Sequence, residues 1–397
     1  MFKEIISKYH KISLFIAAVA VNNIIEITPG LALSYYFVML LALIYCIRQD
    51  NMLTYSSAAI WLILACIASI LFNDIPSFFS PWLRLVTFVI LLLLIGPVVQ
   101  SEYLNKIRVE VFFVIQYLLQ PIVIISFIMY LLGIITYSSH WVGYSGLTTH
   151  SMVLAPVCAN VLAFSQYKLL YTDLSTKFRY YYIGLSVISI LCMLLAASRT
   201  VIIGSVIILI IFGYYRLREN VSMFLKIVFV LGLACYFTES YWSPYLDALE
   251  EKNEGSIRAG GITSSREVHW LQRINEFESS PLFGVGFGCV STDADSGATY
   301  DESSGKIETG SSWLSILSMI GLFGVIPVVV IFIKAIKRAV NIISAHSETG
   351  ILFLSLIIFW CVHMCAEGYI FSAGGFMFFN VWLVIGTING FYSLSNE

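Results

Sequence analysis

Long apolar segments alternate with short polar segments along almost the whole chain of 397 residues. A run of about 20 apolar residues has the length that an α-helix needs to cross the hydrocarbon core of a membrane. The pattern therefore predicts an all-α polytopic membrane protein with about twelve transmembrane helices. The predicted segments are 12–27, 30–47, 53–72, 82–99, 111–135, 151–170, 181–198, 200–215, 224–240, 312–333, 350–371 and 374–393.

One large hydrophilic segment, residues 241–311, interrupts this pattern and holds 12 of the 24 acidic residues. We therefore expect three parts. Residues 1–240 form helices 1–9 with short loops, residues 241–311 form one large loop, and residues 312–397 form helices 10–12.

The composition narrows the class of protein further. With 59% hydrophobic and 12% charged residues, the chain differs from soluble globular domains, which carry about 25% charged residues. The basic residues are scattered through short loops, which excludes a nucleic-acid partner. Seven of the eight cysteines lie inside apolar segments and no zinc pattern is present, so we expect neither a metal site nor a cofactor.

Basic residues orient the chain. With the N-terminus in the cytoplasm, 15 of the 22 lysines and arginines lie on the cytoplasmic side, as the positive-inside rule requires. Both termini are then cytoplasmic, and the loop 241–311 lies outside. The basic residues expected outside are Arg84, Arg199, Lys252, Arg258, Arg266, Arg273 and Lys306.

The loop contains the signature of an amphipathic helix near residues 264–279, with Ser264 as the N-cap and Glu267 as its capping-box partner. Arg266 and Arg273 are seven residues apart, so they project from nearly the same side of this helix, with His269 and Trp270 between them. Two guanidinium groups at that spacing suit an extended anion such as a diphosphate. The alternative is that these arginines only solvate the outer face of the helix.

A glycine-rich stretch, Ser280-Pro281-Leu282-Phe283-Gly284-Val285-Gly286-Phe287-Gly288, follows the helix. Its Gly-x-Gly-x-Gly spacing does not indicate nucleotide binding, because no strand precedes it and no βαβ unit surrounds it. We expect a mobile or membrane-hugging backbone segment beside the site.

Four motifs in order resemble the superfamily of O-antigen ligases and Wzy-type polymerases over roughly residues 198–325. They are Ser198-Arg199-Thr200, Arg266-x-x-x-Trp270, the glycine-rich stretch, and Ser311-Ser312-Trp313-Leu314 with Gly321-Leu322-Phe323-Gly324. The resemblance implies a GT-C-type glycosyltransferase of the bacterial inner membrane. Its donor would be a glycan on undecaprenyl diphosphate, bound by Arg199 and Arg266 without a metal.

Ligases of this superfamily usually carry a His-Asn pair at the start of the helix after the loop, and this chain lacks that histidine. Glu308 is the nearby residue that could accept a proton from the acceptor sugar, unless it is simply one more external carboxylate. His150 lies where the superfamily often has a histidine, and it could bind a sugar or phosphate oxygen or cap a helix.

Three further residues complete the expected site. Arg258 adds external positive charge, and His363 and Glu367, four residues apart, are expected on one helix face. They either bind substrate or pair with each other.

We therefore expect a polymerase that joins lipid-linked oligosaccharide repeats at the periplasmic face, for O-antigen or a related polysaccharide. The alternatives are an O-antigen ligase and a flippase or other transporter of lipid-linked oligosaccharides. The expected partners are undecaprenyl-diphosphate-linked glycans and the bilayer, with a chain-length regulator protein as a further candidate.

Overall fold

The computed structural model describes residues 9–25, 32–50, 52–134, 143–220, 222–223, 226, 264–292, 300–303, 305–345 and 347–395. The ninth predicted segment, Arg258 and the first part of the large loop lie outside the described residues, apart from Lys226. Within these ranges the chain forms twelve helices. They are α1 (Lys11–Ile25), α2 (Ala32–Ile47), α3 (Ser57–Leu71), α4 (Pro81–Ile95), α5 (Glu102–Leu131), α6 (Ser151–Tyr171), α7 (Thr176–Leu195), α8 (Arg199–Leu217), α9 (Ser264–Ser279), α10 (Ser312–Ser344), α11 (Thr349–His363) and α12 (Phe376–Leu394).

Four short strands accompany the helices. β1 (Thr54–Tyr55) pairs antiparallel with β2 (Val99–Gln100), and β3 (Tyr300–Asp301) pairs antiparallel with β4 (Lys306–Ile307). The second pair forms a small hairpin in the large loop.

Seven of the described helices are long and apolar enough to cross a membrane, namely α4 with the turn before it, α5, α6, α7, α8, α10 and α12. Four shorter apolar helices, α1, α2, α3 and α11, accompany them. These eleven helices correspond to the predicted apolar segments except 224–240, and they confirm a multi-pass, mostly helical membrane protein. The number twelve stays a prediction, and so does the division into three parts.

Hydrogen bonds between loops show which helix ends lie together. The amide of Tyr144 donates to the carbonyl of Leu195 at the end of α7 (2.9 Å), and the amide of Thr149 donates to that of Ile24 at the end of α1 (3.1 Å). The amide of Ser312 at the start of α10 donates to the carbonyl of Met364 just after α11 (2.9 Å). We call this side of the bundle, on which α9 also lies, the loop end.

α5 begins at Glu102, about two and a half helical turns before residue 111, the predicted start, and this places Lys106 and Arg108 inside a helix rather than in a loop. The guanidinium of Arg108 is buried and donates to the carbonyl oxygens of Leu93 (2.7 Å), Leu94 (2.9 Å) and Val99 (2.7 Å). Carbonyls at the C-terminal end of a helix lack intrahelical donors, so Arg108 supplies hydrogen bonds to the last carbonyls of α4.

A break in α10 anchors the glycine-rich stretch. Gly321 has φ 58° and ψ −166°, which interrupts the helix and leaves carbonyls of the preceding turn without their usual donors. The amide of Val285 donates to the carbonyl of Ser318 (2.8 Å), and the amide of Leu322 donates to that of Pro281 (2.8 Å). Backbone hydrogen bonds therefore tie the stretch to α10, which contradicts the expectation of a mobile segment, while its contact with the membrane stays a prediction.

Candidate functional site

The predicted loop helix exists as α9, and its charged side faces the protein. Arg273 and Glu276 are 0% and 3% exposed, whereas Val268 and Leu271 are 59% and 54% exposed. Arg266 and Arg273 share the inward side, as their spacing predicted. The alternative, in which both arginines solvate the outer face, was wrong. The side chain of Ser264, the predicted N-cap, lies outside the described residues.

Arg273 and Glu276 form an ion pair that we call the sealed pair, with Nη2 and Oε1 2.5 Å apart. The amide of Ser291 also donates to Glu276 Oε1 (2.8 Å). Burial lowers the pKa of the Arg273 guanidinium and raises the pKa of the Glu276 carboxyl, although each group partly offsets the shift of the other. Desolvation therefore outweighs the attraction within the sealed pair.

This burial changes the expected role of Arg273. Its Nε and Nη1 have no hydrogen-bond partner among the described residues, and the side chain has no exposed surface. It does not reach the surface where a diphosphate would bind. The two arginines expected to bind a diphosphate therefore differ in exposure: Arg273 is buried, and Arg266 is accessible.

Arg266 forms a second ion pair, which we call the open pair, between its Nη2 and Glu367 Oε1. The two side chains are 27% and 12% exposed. Arg266 Nη1 and Trp270 Nε1 also donate to the carbonyl of Gly310, at 3.4 Å and 3.2 Å. The Arg266-x-x-x-Trp270 motif therefore binds one backbone carbonyl just before α10, and 27% of the Arg266 side chain stays exposed.

His269 and Glu308 lie beside the open pair. Burial lowers the pKa of His269, while Glu308 raises it and Arg273 and Arg266 lower it. These mutual effects place Glu308 within electrostatic reach of His269, and the Glu308 side chain itself is exposed. Arg266, His269, Trp270 and Glu308 therefore converge at the loop end.

The hairpin that precedes Glu308 is held by residues near the start of α4. The ring of Tyr300 stacks on that of Phe78, with centroids 5.9 Å apart. Arg84 Nη2 donates to the carbonyl of Gly305. Arg84, expected only to add external positive charge, therefore positions the backbone that leads to Glu308.

His363 and Glu367 do not share a helix face, because α11 ends at His363. His363 Nδ1 lies 2.9 Å from the hydroxyl of Tyr369, while Glu367 turns to Arg266. Neither the expected shared face nor the expected mutual pairing is found.

Serines of the Ser311-Ser312-Trp313 motif bind the backbone that follows the end of α11. The hydroxyl of Ser312 donates to the carbonyl of Glu367 (2.6 Å) and accepts from the amide of Tyr369 (2.9 Å). The sequence singled out Ser312 only as part of a motif, and it did not reveal that the buried Ser312 hydroxyl positions the backbone of Glu367. Three hydroxyl residues within one turn, at positions 311, 312 and 315, were the available signal.

Arg199 begins α8 at the loop end and is partly exposed. α8 and α11 pack tightly, since a Cβ on Gly204 would lie only 2.6 Å from Cδ2 of Phe359. Arg199 and His363 each lie four or five residues beyond this contact, about 6–8 Å along their helices. Arg199 therefore stands beside the end of α11, on the side of the bundle that carries the open pair.

His150 is the N-cap of α6, and its Nδ1 accepts a hydrogen bond from the amide of Met152 (3.0 Å). This bond uses the lone pair that a general base would need. Of the two roles considered for His150, the structure shows the helix cap.

Among the described residues, no group of three His, Cys, Asp or Glu side chains is placed to hold a metal ion. The positive charge on the inward side of α9 comes from guanidinium groups. This arrangement can bind an anion through hydrogen-bonded ion pairs.

The fold defines a polytopic helical membrane protein in which Arg266 lies partly exposed at one end of the bundle. Residues 184–329 match the model of the O-antigen ligase family. The match runs from α7 through α9 into α10 and includes Arg199, Arg266 and Ser312, and it supports the superfamily that the motifs indicate. No curated protein matches the chain. The family match supports a function connected with surface polysaccharide.

Proposed function

We propose that this protein is a polysaccharide polymerase of the bacterial inner membrane. It joins oligosaccharide repeats carried on undecaprenyl diphosphate, at the periplasmic face. The observation that carries the proposal is Arg266, which lies on the inward side of α9, is held by Gly310 and Glu367, and has a partly exposed side chain. Arg199 at the same end of the bundle supplies the second positive charge.

The residues suit a glycosyl transfer with a diphosphate leaving group. The hydroxyl of the acceptor sugar attacks the anomeric carbon of the donor, and the bond from that carbon to the phosphate oxygen breaks. The diphosphate leaves with the electron pair, and Arg266 and Arg199 stabilise its growing negative charge. Glu308, exposed beside His269, takes the proton of the acceptor hydroxyl. Because His150 is committed to capping α6, we propose Glu308 as the base.

Replacing Arg266 or Arg199 by alanine tests the proposal. We expect loss of long polysaccharide chains, by about 100-fold or more in the amount of polymer, because the charge that stabilises the leaving group is removed. Gel analysis of surface polysaccharide at matched protein level measures chain length. Lys306→Ala removes a neighbouring exposed positive charge and should leave the chains unchanged. Wild-type chain length in the Arg266→Ala strain would refute its role.

The family match favours an O-antigen ligase as the second candidate, since the matched model bears that description. The two functions differ in what a deletion strain makes. Loss of a polymerase leaves single repeats attached to the lipid A core, whereas loss of a ligase leaves the core bare. Accumulation of repeats on the cytoplasmic face would instead indicate a flippase.

A further inference from the structure

The backbone of Glu367 is fixed by α10. Its carbonyl accepts hydrogen bonds from the amide of Ser312 (2.9 Å) and from the hydroxyl of Ser312 (2.6 Å). The next residue is Gly368, where a Cβ would lie 1.7 Å from Oγ1 of Thr309. The segment is thus pressed against the start of α10, and this contact directs the carboxylate of Glu367 towards α9.

The open pair and the sealed pair are similar in chemistry and differ in access. Each joins an arginine of the inward side of α9 to a glutamate. The side chains of the sealed pair, Arg273 and Glu276, are 0% and 3% exposed, and those of the open pair, Arg266 and Glu367, are 27% and 12% exposed. Removing a partner from a buried pair is costly, whereas an ion pair near the surface exchanges partners readily.

A carboxylate presents two oxygens to a guanidinium in the same way as a phosphate group does. Glu367 therefore occupies, on Arg266, the position that a phosphate oxygen would take. A diphosphate carries more negative charge than a carboxylate and can replace it, provided that the carboxylate is free to move into solvent. The pair borders solvent, with 27% of the Arg266 side chain and 12% of the Glu367 side chain exposed, so this movement requires a rotation of the Glu367 side chain away from Arg266.

We propose that Glu367 is a displaceable counter-ion of Arg266. It holds the guanidinium in place while no donor is bound, gives way to the lipid-linked diphosphate, and returns to Arg266 when the diphosphate product leaves. Glu367 is a positioning residue that tunes the affinity of the site for diphosphate, so the inference rests on the proposed function.

The test measures binding of farnesyl diphosphate to the purified full-length protein in detergent, by titration calorimetry. Glu367→Gln removes the competing charge, so it should bind the probe about two- to fivefold more tightly, the factor that a partly exposed ion pair is worth. Glu367→Asp keeps the charge on a shorter side chain and should give a smaller gain. Glu278→Gln removes an exposed charge from the same helix and should leave the affinity unchanged.

Arg266→Ala separates this inference from the proposed function. It should abolish binding, and Glu367→Gln should add nothing to it. If Arg266→Ala reduces binding while both Glu367 variants bind no more tightly than the wild type, the counter-ion is refuted and the diphosphate site stands. If Arg266→Ala binds farnesyl diphosphate as the wild type does, Arg266 does not bind the diphosphate and the proposed function is refuted at that residue. A purely structural role of Glu367 predicts weaker binding in its variants, and that result would also overturn the inference.

Discussion

Arg266 and Arg273 differ in solvent exposure although they lie on the same side of α9. Arg273 is enclosed with Glu276 between α9 and α10, and Arg266 stays partly open beside Glu367. An enclosed ion pair adds little net stability, because desolvation consumes most of the attraction. We therefore assign the sealed pair a structural role and the open pair the chemistry.

The sealed pair leads to a prediction about stability. Glu276→Ala leaves Arg273 buried without a counter-charge, so the free energy of unfolding should fall by about 3–5 kcal/mol. The double variant Arg273→Met/Glu276→Leu removes both charges and should recover most of this loss. Glu278→Ala, exposed on the same helix, should change stability by about 0.5 kcal/mol or less. Thermal unfolding in detergent measures all three. If the single and double variants lose equal free energy of unfolding, the loss does not come from an unpaired buried charge on Arg273.

At the scale of elements, the site depends on one interrupted helix. The break at Gly321 frees backbone groups of α10, and the glycine-rich stretch that follows α9 binds to them. This contact ties the C-terminal end of α9 to a membrane helix, while Gly310 ties its N-terminal half. α9 is therefore held at both ends with its charged side inward.

Substituting this glycine tests the arrangement. Gly321→Ala places a Cβ 2.4 Å from the carbonyl of Leu282, at a backbone conformation that L-residues avoid. We expect a loss of about 1–3 kcal/mol from the conformation, with a further loss from the clash. Gly184, inside α7, has open space around its Cβ position, so Gly184→Ala should be neutral or stabilising by up to about 1 kcal/mol. Thermal unfolding and polysaccharide chain length check both variants, and equal behaviour would refute the role of the break.

For the whole molecule, the described helix ends sort into two sides, one of which carries α9, the hairpin and Arg199. At the opposite side, the hydroxyls of Tyr167 and Thr349 lie 3.1 Å apart. The positive-inside rule predicts that the loop end faces the periplasm.

Cysteine labelling tests this orientation. Glu302→Cys on the hairpin should react with a membrane-impermeant maleimide in intact spheroplasts, because the side chain is exposed and the predicted topology places the loop end outside. Lys177→Cys at the start of α7 should react only after the membrane is permeabilised. Cys365 is exposed near the loop end, so both variants are made in a Cys365→Ser background. The reverse labelling pattern would invert the topology and refute a periplasmic site.

Much of this structure could be predicted from the sequence alone. Transmembrane helices and the loop helix were recognisable because hydrophobic length and helical periodicity are local properties of the chain. The same local reasoning placed Arg266 and Arg273 on one side of α9. It misplaced the start of α5 and the end of α11. Hydropathy reveals neither the burial of Arg108 nor the hydrogen bonds of the Ser312 hydroxyl to the backbone after His363.

What the sequence by itself determined is the class of fold, and its motifs and basic residues indicated the superfamily and a short set of candidate cations. Which of those cations is available was decided only by the tertiary structure. Glu367 lies 101 positions from Arg266, and their pairing depends on where α10 holds the end of α11. The balance between desolvation and attraction depends on that packing, because the effective dielectric around an ion pair is set by all the groups that surround it.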